Sequence, residues 1–245
     1  KQLLDGVSAA KARLMTVDQM PPISVRIAFI EELDATVIAP WLLKLTGKFP
    51  NISFALSGGA SNENHKALST RAVDLMLAVD TVAQADWVEQ HPVLRDPFIL
   101  VTAPQMGNAP DLDLLNTGPF VRYSTDLQIG CQIEAQLRRS GMQPVRGYEF
   151  STNQALFAMT AELGGWAITR ALAYFGTPRV GDLVAAHPLP VASFSRRLAL
   201  HARRGALGDL PRQMAEDIRA CLQERILQTA SARLPFLRDG FQILH

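Results

Sequence analysis

The stretch from Asn51 to Asp80 most constrains what this chain can fold into, because it reads as strand, glycine turn, helix, strand. Ile52, Phe54 and Leu56 share one strand face by period two. Gly58-Gly59 supplies a turn that residues bearing a Cβ resist, and Ser61 suits a helix N-cap. Leu75-Met-Leu-Ala-Val79 is an unbroken apolar run, as expected of a strand buried on both faces. Such a βαβ unit puts the N-terminus of its helix at the carboxyl edge of the sheet. Open α/β sheets bind ligands at that edge, and free N–H groups there suit an anion. The same residues also read as a tight turn and a cap with no ligand.

The flanking sequence extends the pattern. Val25 to Ile30 is a first strand, and Asp34 can cap a helix from Ala35 to Lys48 with a stripe of Ile38, Leu42, Leu45 and Phe49. Strand, helix, strand, helix and strand follow in close succession, which predicts parallel pairing. Asp96 to Thr102 is another strong strand. A second unit then repeats the order. Pro119 to Tyr123 is a strand, and Ser124-Thr-Asp126 caps a helix bearing Ile129, Ile133 and Leu137. Val145 to Phe150 is a strand, Ser151-Thr-Asn153 caps the helix Gln154 to Leu163, and Trp166 to Thr169 is a short strand. Arg197 to Ala202 reads as a strand that crosses back. Leu210-Pro211 opens a last helix to about Gln228, striped by Ala215, Ile218, Cys221, Leu222 and Ile226. The tail from Ala230 to His245 has no clear pattern. Ahead of all this, Leu3, Val7, Ala10, Leu14 and Val17 alternate spacings of four and three, the seam of a short coiled coil or the stripe of a surface helix, and Pro21-Pro22 ends it.

Composition narrows the function classes. The 245 residues are 48% hydrophobic and 19% charged, with a formal net charge of +1. That describes a globule with an ample core and without the basic face that nucleic-acid binding needs. No run reaches the roughly 18 apolar residues of a membrane span, and Lys1 to Met20 is not built like a signal peptide. Cys131 and Cys221 both fall in helical patterns, which favours free thiols in a reducing cytoplasm over a redox pair. There is no nucleophile elbow or P-loop. The histidines His65, His91, His187, His201 and His245 share no metal-ligand spacing. Ser61 and His65, one helical turn apart, are the nearest approach to a nucleophile and base, with no orienting acid in view. No catalytic residue, metal ligand or cofactor is assigned.

Two similar α/β units joined by two crossings resemble the effector-binding domain of LysR-type transcriptional regulators. The resemblance rests on Val25-Arg-Ile-Ala-Phe, Ile38-Ala-Pro-Trp-Leu-Leu43, Phe49-Pro-Asn-Ile52, Ser61 ahead of Leu68, Val73-Asp-Leu75 and Leu94-Arg-Asp-Pro-Phe-Ile-Leu-Val-Thr102. It covers roughly residues 23 to 228, and Lys1 to Met20 resembles the end of that family's linker helix. One departure stands out. Where the family often has Gly-x-Gly, two apolar residues and proline, this chain has Leu163 at the first glycine and Arg170 at the proline.

The resemblance implies a periplasmic-binding-protein type 2 fold. It has two Rossmann-like subdomains joined by two crossover strands, with a small-molecule effector in the cleft between them. The corresponding division is a linker remnant at 1–20, a first subdomain at 23–102 plus 203–228, a second at 103–202 and a tail at 229–245. The resemblance further implies a homodimer or tetramer pairing through the helices around Ala35–Lys48 and Gln128–Arg139, contact with DNA only through a winged helix-turn-helix absent from this chain, and a cytoplasmic protein with no membrane partner. It also marks Ser61 and Thr102 as positions that touch the effector in relatives.

The residues point to a similar cleft on their own account. Helix starts at Ser61, Ser124-Thr125-Asp126 and Ser151-Thr152-Asn153 offer N–H groups and hydroxyls to a carboxylate. Arg122, Arg146 and Arg170 are candidate charge partners, each equally readable as a solvated surface residue. Phe29, Phe150 and Trp166 are either apolar walls or core. Glu31 and Glu32 could receive a ligand amine instead. The candidate effector contacts are therefore Glu31, Gly59, Ala60, Ser61, Thr102, Ser124, Thr125, Ser151, Asn153 and Thr169. The expected effector is a small anionic metabolite, whether an organic acid, an aromatic acid or an amino acid. A transporter's solute-binding protein, or an enzyme on the same two-unit scaffold, would share these features. The heptad at Leu3 to Val17 favours the regulator.

Overall fold

The computed structural model describes residues 23–80, 85–107, 112–144, 147–177, 179 and 181–245. The coiled-coil segment expected at Lys1 to Met20, the Pro21-Pro22 stop, and Val145 and Arg146 lie outside them. In chain order the first elements are β1 (Ile23–Ile30), α1 (Ala39–Lys48), β2 (Ile52–Gly59), α2 (Ser61–Ser69), β3 (Leu75–Val79) and β4 (Val88–Thr102). Then come α3 (Leu112–Thr117), β5 (Arg122–Tyr123), α4 (Gln128–Arg139), β6 (Glu149–Phe150), α5 (Asn153–Glu162), β7 (Trp166–Arg170) and α6 (Ala171–Gly176). The last are β8 (Ala185–His187), β9 (Ser195–Arg203), α7 (Leu210–Leu222), α8 (Gln228–Arg233) and β10 (Gln242–Ile243).

The chain divides into two compact units. The first holds the residues up to Arg95 with Arg196–Thr229 and Phe241–His245, and the second holds Asp96–Ser195 and Ala230–Gly240. In the first unit β1 pairs in parallel with β2 and with β3, as a βαβ sequence demands. Strand β9 pairs antiparallel with β3, and β10 antiparallel with the start of β4. The strand order along this path is β10-β4-β9-β3-β1-β2. All five residues of β3 are buried, the outcome its unbroken apolar run required. Helix α7 buries Met214, Ala215, Ile218, Cys221 and Leu222, spaced to form one stripe. It lies against α1, with Lys48 paired to Asp217 at 2.9 Å and Lys44 to Glu224 at 3.0 Å at the exposed margin.

Three local expectations change. The helix expected to start after Asp34 begins earlier, as a 3-10 turn at Glu31–Leu33 followed by a π segment at Asp34–Ile38, so Asp34 lies inside the run. Of the expected stripe, Ile38 and Leu45 are buried, together with Val37 and Trp41, while Leu42 is only half-buried and Phe49 lies past the helix as its half-buried C-cap. Gly58 and Gly59 are not a turn. They are the last two residues of β2, in register with Phe29 and Ile30. The tail is also ordered, carrying α8, a 3-10 turn at Pro235–Leu237 and β10.

In the second unit the end of β4 pairs antiparallel with β7 and with β8, and β5 pairs in parallel with β6. Helix α6 and strand β8 carry no pattern that separates them from loop in the sequence. The start of α6 is held by Asp96 of β4, which is wholly buried and accepts the Leu172 N–H at 2.9 Å. A carboxylate at a helix start satisfies a donor that the helix cannot.

Asp96→Ala removes that acceptor and leaves a buried N–H without a partner. A loss of roughly 2 kcal/mol is expected, measured as a lower urea midpoint at unchanged slope.

Candidate functional site

At the carboxyl edge of the first unit, β3 outruns its neighbour. The β1–β3 ladder covers Leu75, Met76 and Leu77, so Val79 needs other partners on that side. Helix α2 supplies both. Ser61 Oγ accepts the Val79 N–H at 3.3 Å, and His65 Nε2 donates to the Val79 carbonyl at 3.1 Å. Ser61 is therefore the first residue of the helix and not its cap. The N-cap is Ala60, in extended conformation, whose N–H donates to Glu63 Oε2 at 3.2 Å. The pairing also dissolves the nucleophile and base suggested by spacing, because both side chains are spent on one backbone residue. Ser61 Oγ accepts from Val79, and its own O–H remains able to donate.

The glycines work by size. A Cβ on Gly59 would stand 3.2 Å from both Asn64 Oδ1 and Glu63 Oε2, so its absence lets those side chains close over the strand end. Glu31 is exposed near Gly58, and Glu32 is paired with Arg196 at 3.4 Å. Phe29 is a core residue at 4% exposure. Behind the edge, the His201 ring is buried and meets His65 edge-on at 5.5 Å. Burial, and secondly the neighbouring His65, lowers its pKa to about 4.

The second unit brings two candidates together through a residue not singled out in the sequence. Tyr123, the last residue of β5, places its hydroxyl 2.5 Å from Asn153 Oδ1 and 2.8 Å from Thr169 Oγ1. The available signal was its position, closing a strand just ahead of a polar loop at a carboxyl end. Arg170 lies over the Tyr123 ring at 5.9 Å. Thr102 is elsewhere: it is wholly buried and bonds His187 Nε2 at 3.0 Å, and burial lowers the pKa of His187.

Ser124-Thr125-Asp126 does not cap α4, whose N-cap is Leu127. Ser124 Oγ instead accepts the Asp126 N–H at 3.3 Å, in a turn set ahead of the helix. Gly130 explains the close approach, since a Cβ there would lie 2.1 Å from the Ser124 carbonyl oxygen. Thr125 is exposed, and its carbonyl accepts the Cys131 thiol at 3.0 Å. In the third triplet the cap is Thr152, which accepts the Ala155 N–H at 3.3 Å, while Ser151 is exposed just before it. Arg122 is committed to Glu134 at 3.2 Å and lies over Phe120. Arg146 is outside the described residues. Trp166 is core, its indole N–H donating to the Leu115 carbonyl at 2.9 Å, and Phe150 is half-buried. Among the described residues, no group of three or more His, Cys, Asp or Glu side chains is placed to hold a metal ion, and no helix is long and apolar enough to cross a membrane.

Two α/β units with hydroxyl and amide groups at their strand ends define a ligand-binding domain of the periplasmic-binding-protein type 2 class. The family model described as the LysR substrate binding domain matches residues 21–225, and the chain belongs to that family. Its members are the ligand-sensing domains of LysR-type transcription regulators and are not enzymes. An OxyR cysteine mutant from Corynebacterium glutamicum is similar in structure at TM-score 0.70 and 16% identity, over 95% of this chain and 75% of that one. The reduced regulatory domain of OxyR2 from Vibrio vulnificus is similar at TM-score 0.64 and 14% identity, over 84% of this chain and 100% of that one. A reduced OxyR from N. meningitidis is similar at TM-score 0.65 and 14% identity, over 91% of this chain and 99% of that one. At such identities these likenesses speak for the fold alone. No curated protein is similar enough to count as a match.

Two outcomes follow from the burial at these edges. Below its ordinary pKa of 6.5 the unfolded chain binds a proton that buried His201 refuses, so stability is lost as pH falls from about 6.5 to about 4. The loss from this residue is on the order of 3 kcal/mol, and His201→Leu flattens the profile in urea melts across that range. Cys131 is exposed, whereas Cys221 is buried with its thiol pKa raised by burial. A thiol reagent therefore labels Cys131 in the folded chain and Cys221 only after unfolding.

Proposed function

We propose that this chain senses a small anionic metabolite on behalf of a LysR-type transcription regulator. The family match over residues 21–225 supports the sensing role. The observation that supports the choice of ligand is that Ser61 Oγ and Asn153 Oδ1 each already accept one hydrogen bond, from the Val79 N–H and from Tyr123, while the Ser61 O–H and the Asn153 NH₂ keep their protons to donate. Donors at a strand edge favour a carboxylate. The effector is an organic acid, an aromatic acid or an amino acid. In the last case Glu31 receives the ammonium group.

The proposed contacts on the first unit are Glu31, Gly59, Ala60 and Ser61. On the second unit they are Ser124, Thr125, Ser151 and Asn153, with the wholly buried Thr102 and Thr169 behind them, bonded to His187 and Tyr123. Binding favours one of two arrangements of a homodimer or tetramer, which alters transcription through a DNA-binding domain outside this chain. The regulator acts in the cytoplasm, and sensing needs no cofactor.

A thermal-shift screen of organic acids, aromatic acids and amino acids tests this reading. A true effector at a hundredfold over its Kd adds about 2.7 kcal/mol and raises Tm; silence across all three classes counts against the proposal. Ser61→Ala removes one donor, and calorimetry is expected to show roughly tenfold weaker binding of the effector so found. Unchanged affinity would remove Ser61 from the site.

A further inference from the structure

We propose that Tyr123 is a positioning residue: it grips the Asn153 amide by its oxygen and so presents the amide nitrogen, which can only donate, to the bound molecule. This rests on the sensing function proposed above and deepens it. The group received at this edge of the second unit is a hydrogen-bond acceptor, a carboxylate or carbonyl, and not an ammonium.

The Tyr123 hydroxyl is buried and has one proton, and it meets Asn153 Oδ1 at 2.5 Å and Thr169 Oγ1 at 2.8 Å. A separation of 2.5 Å falls in the range of O–H···O bonds and below the roughly 2.7 Å at which N–H···O bonds begin. The atom of Asn153 that faces Tyr123 is therefore its oxygen, and an amide oxygen only accepts. The tyrosine proton is spent on Asn153, so the contact with Thr169 requires Thr169 to donate. The chain of donation runs from Thr169 to Tyr123 to Asn153. Both of its inner members are buried, Thr169 wholly and Tyr123 at 2% exposure. That burial fixes the direction, since reversing it would cost partners that water cannot replace.

The far end is open. Asn153 is half-buried, and among the described residues its Nδ2 has no partner, nor is that atom sealed from solvent. The Arg170 guanidinium over the Tyr123 ring adds positive charge on the same side, which strengthens the tyrosine as a donor and suits an anionic neighbour. A chain that served only to satisfy buried groups would be indifferent to the charge of a small solute. One that positions a donor would not.

The test uses the full chain, labelled with ¹⁵N, and two probes at matched ionic strength: sodium acetate and ethylammonium chloride. Acetate is expected to shift the Asn153 side-chain NH₂ resonances saturably, and ethylammonium to leave them in place. Tyr123→Phe keeps the ring and removes the grip. It is expected to weaken the acetate response at Asn153 roughly tenfold, and Asn153→Asp, an acceptor-only isostere, to abolish acetate binding as read from the backbone amide resonances of residues 152 to 155. Silence with acetate, a response to ethylammonium instead, or wild-type acetate binding in Tyr123→Phe each overturns the proposal. If Tyr123→Phe does not fold, the wild-type chain still decides. Nuclear Overhauser contacts between the Asn153 NH₂ protons and the Tyr123 ring would place nitrogen against the hydroxyl and refute the assignment; their absence alongside the acetate response supports it. Should acetate engage Asn153 while no screened metabolite stabilises the chain, the donor edge stands and the sensing function falls. A metabolite that stabilises the chain without perturbing Asn153 gives the reverse result.

Discussion

A parallel strand that outruns its neighbour exposes backbone groups that must be bonded, and the carboxyl edge of the first unit is built on that requirement. Val79 extends past the β1 ladder, and α2 answers with Ser61 for its N–H and His65 for its carbonyl. The helix start is thus pinned to the strand end by two hydrogen bonds, each worth about 1 kcal/mol net but costly to leave unmade. The orientation of everything else at this edge follows. Ala60 caps, Glu63 folds back onto its N–H, and Gly59 makes room. A serine placed here for sheet continuity still keeps its own proton to donate.

The second unit meets the same demand with side chains. Tyr123, Thr169 and Asn153 form a directed chain in which each oxygen has a partner, and Asp96 caps α6 from within the core. Buried polar groups of this kind are expensive unless fully paired, and pairing them removes their freedom to turn. A surface assembled this way presents outward only the atoms that the interior has not already used.

Much of the architecture was legible in residue pattern. The run Leu75 to Val79 could only be a buried strand, and the stripe on Leu210 to Leu222 could only be a helix facing a core. The site was legible as an edge but not as a set of contacts. Ser61 looked like a cap because serine before a helix usually is one; the neighbouring Ala60 cap and the distant Val79 partner left no local trace. Ser124-Thr125-Asp126 was drawn into the same logic, whereas the N-cap proved to be Leu127; in Ser151-Thr152-Asn153 the expected capping group is present and is Thr152. The 3-10 turn and π segment at Glu31–Ile38 started the first helical run ahead of Asp34, which a reading based on a capping residue at Asp34 did not anticipate.

The sequence by itself determined the two α/β units and the parallel pairing of the first three strands, because these depend on periodicity and apolar runs within short windows; the family was marked by resemblance of its motifs in their order. Only the tertiary structure decided which polar atoms are spent and which are free. Ser61 meets Val79 across 18 positions, Tyr123 meets Asn153 across 30, and Thr169 meets Tyr123 across 46. Such bonds depend on strand register and on where a helix lands. A hydrogen bond forms or fails over a few tenths of an ångström, a precision that spacing along a chain does not carry.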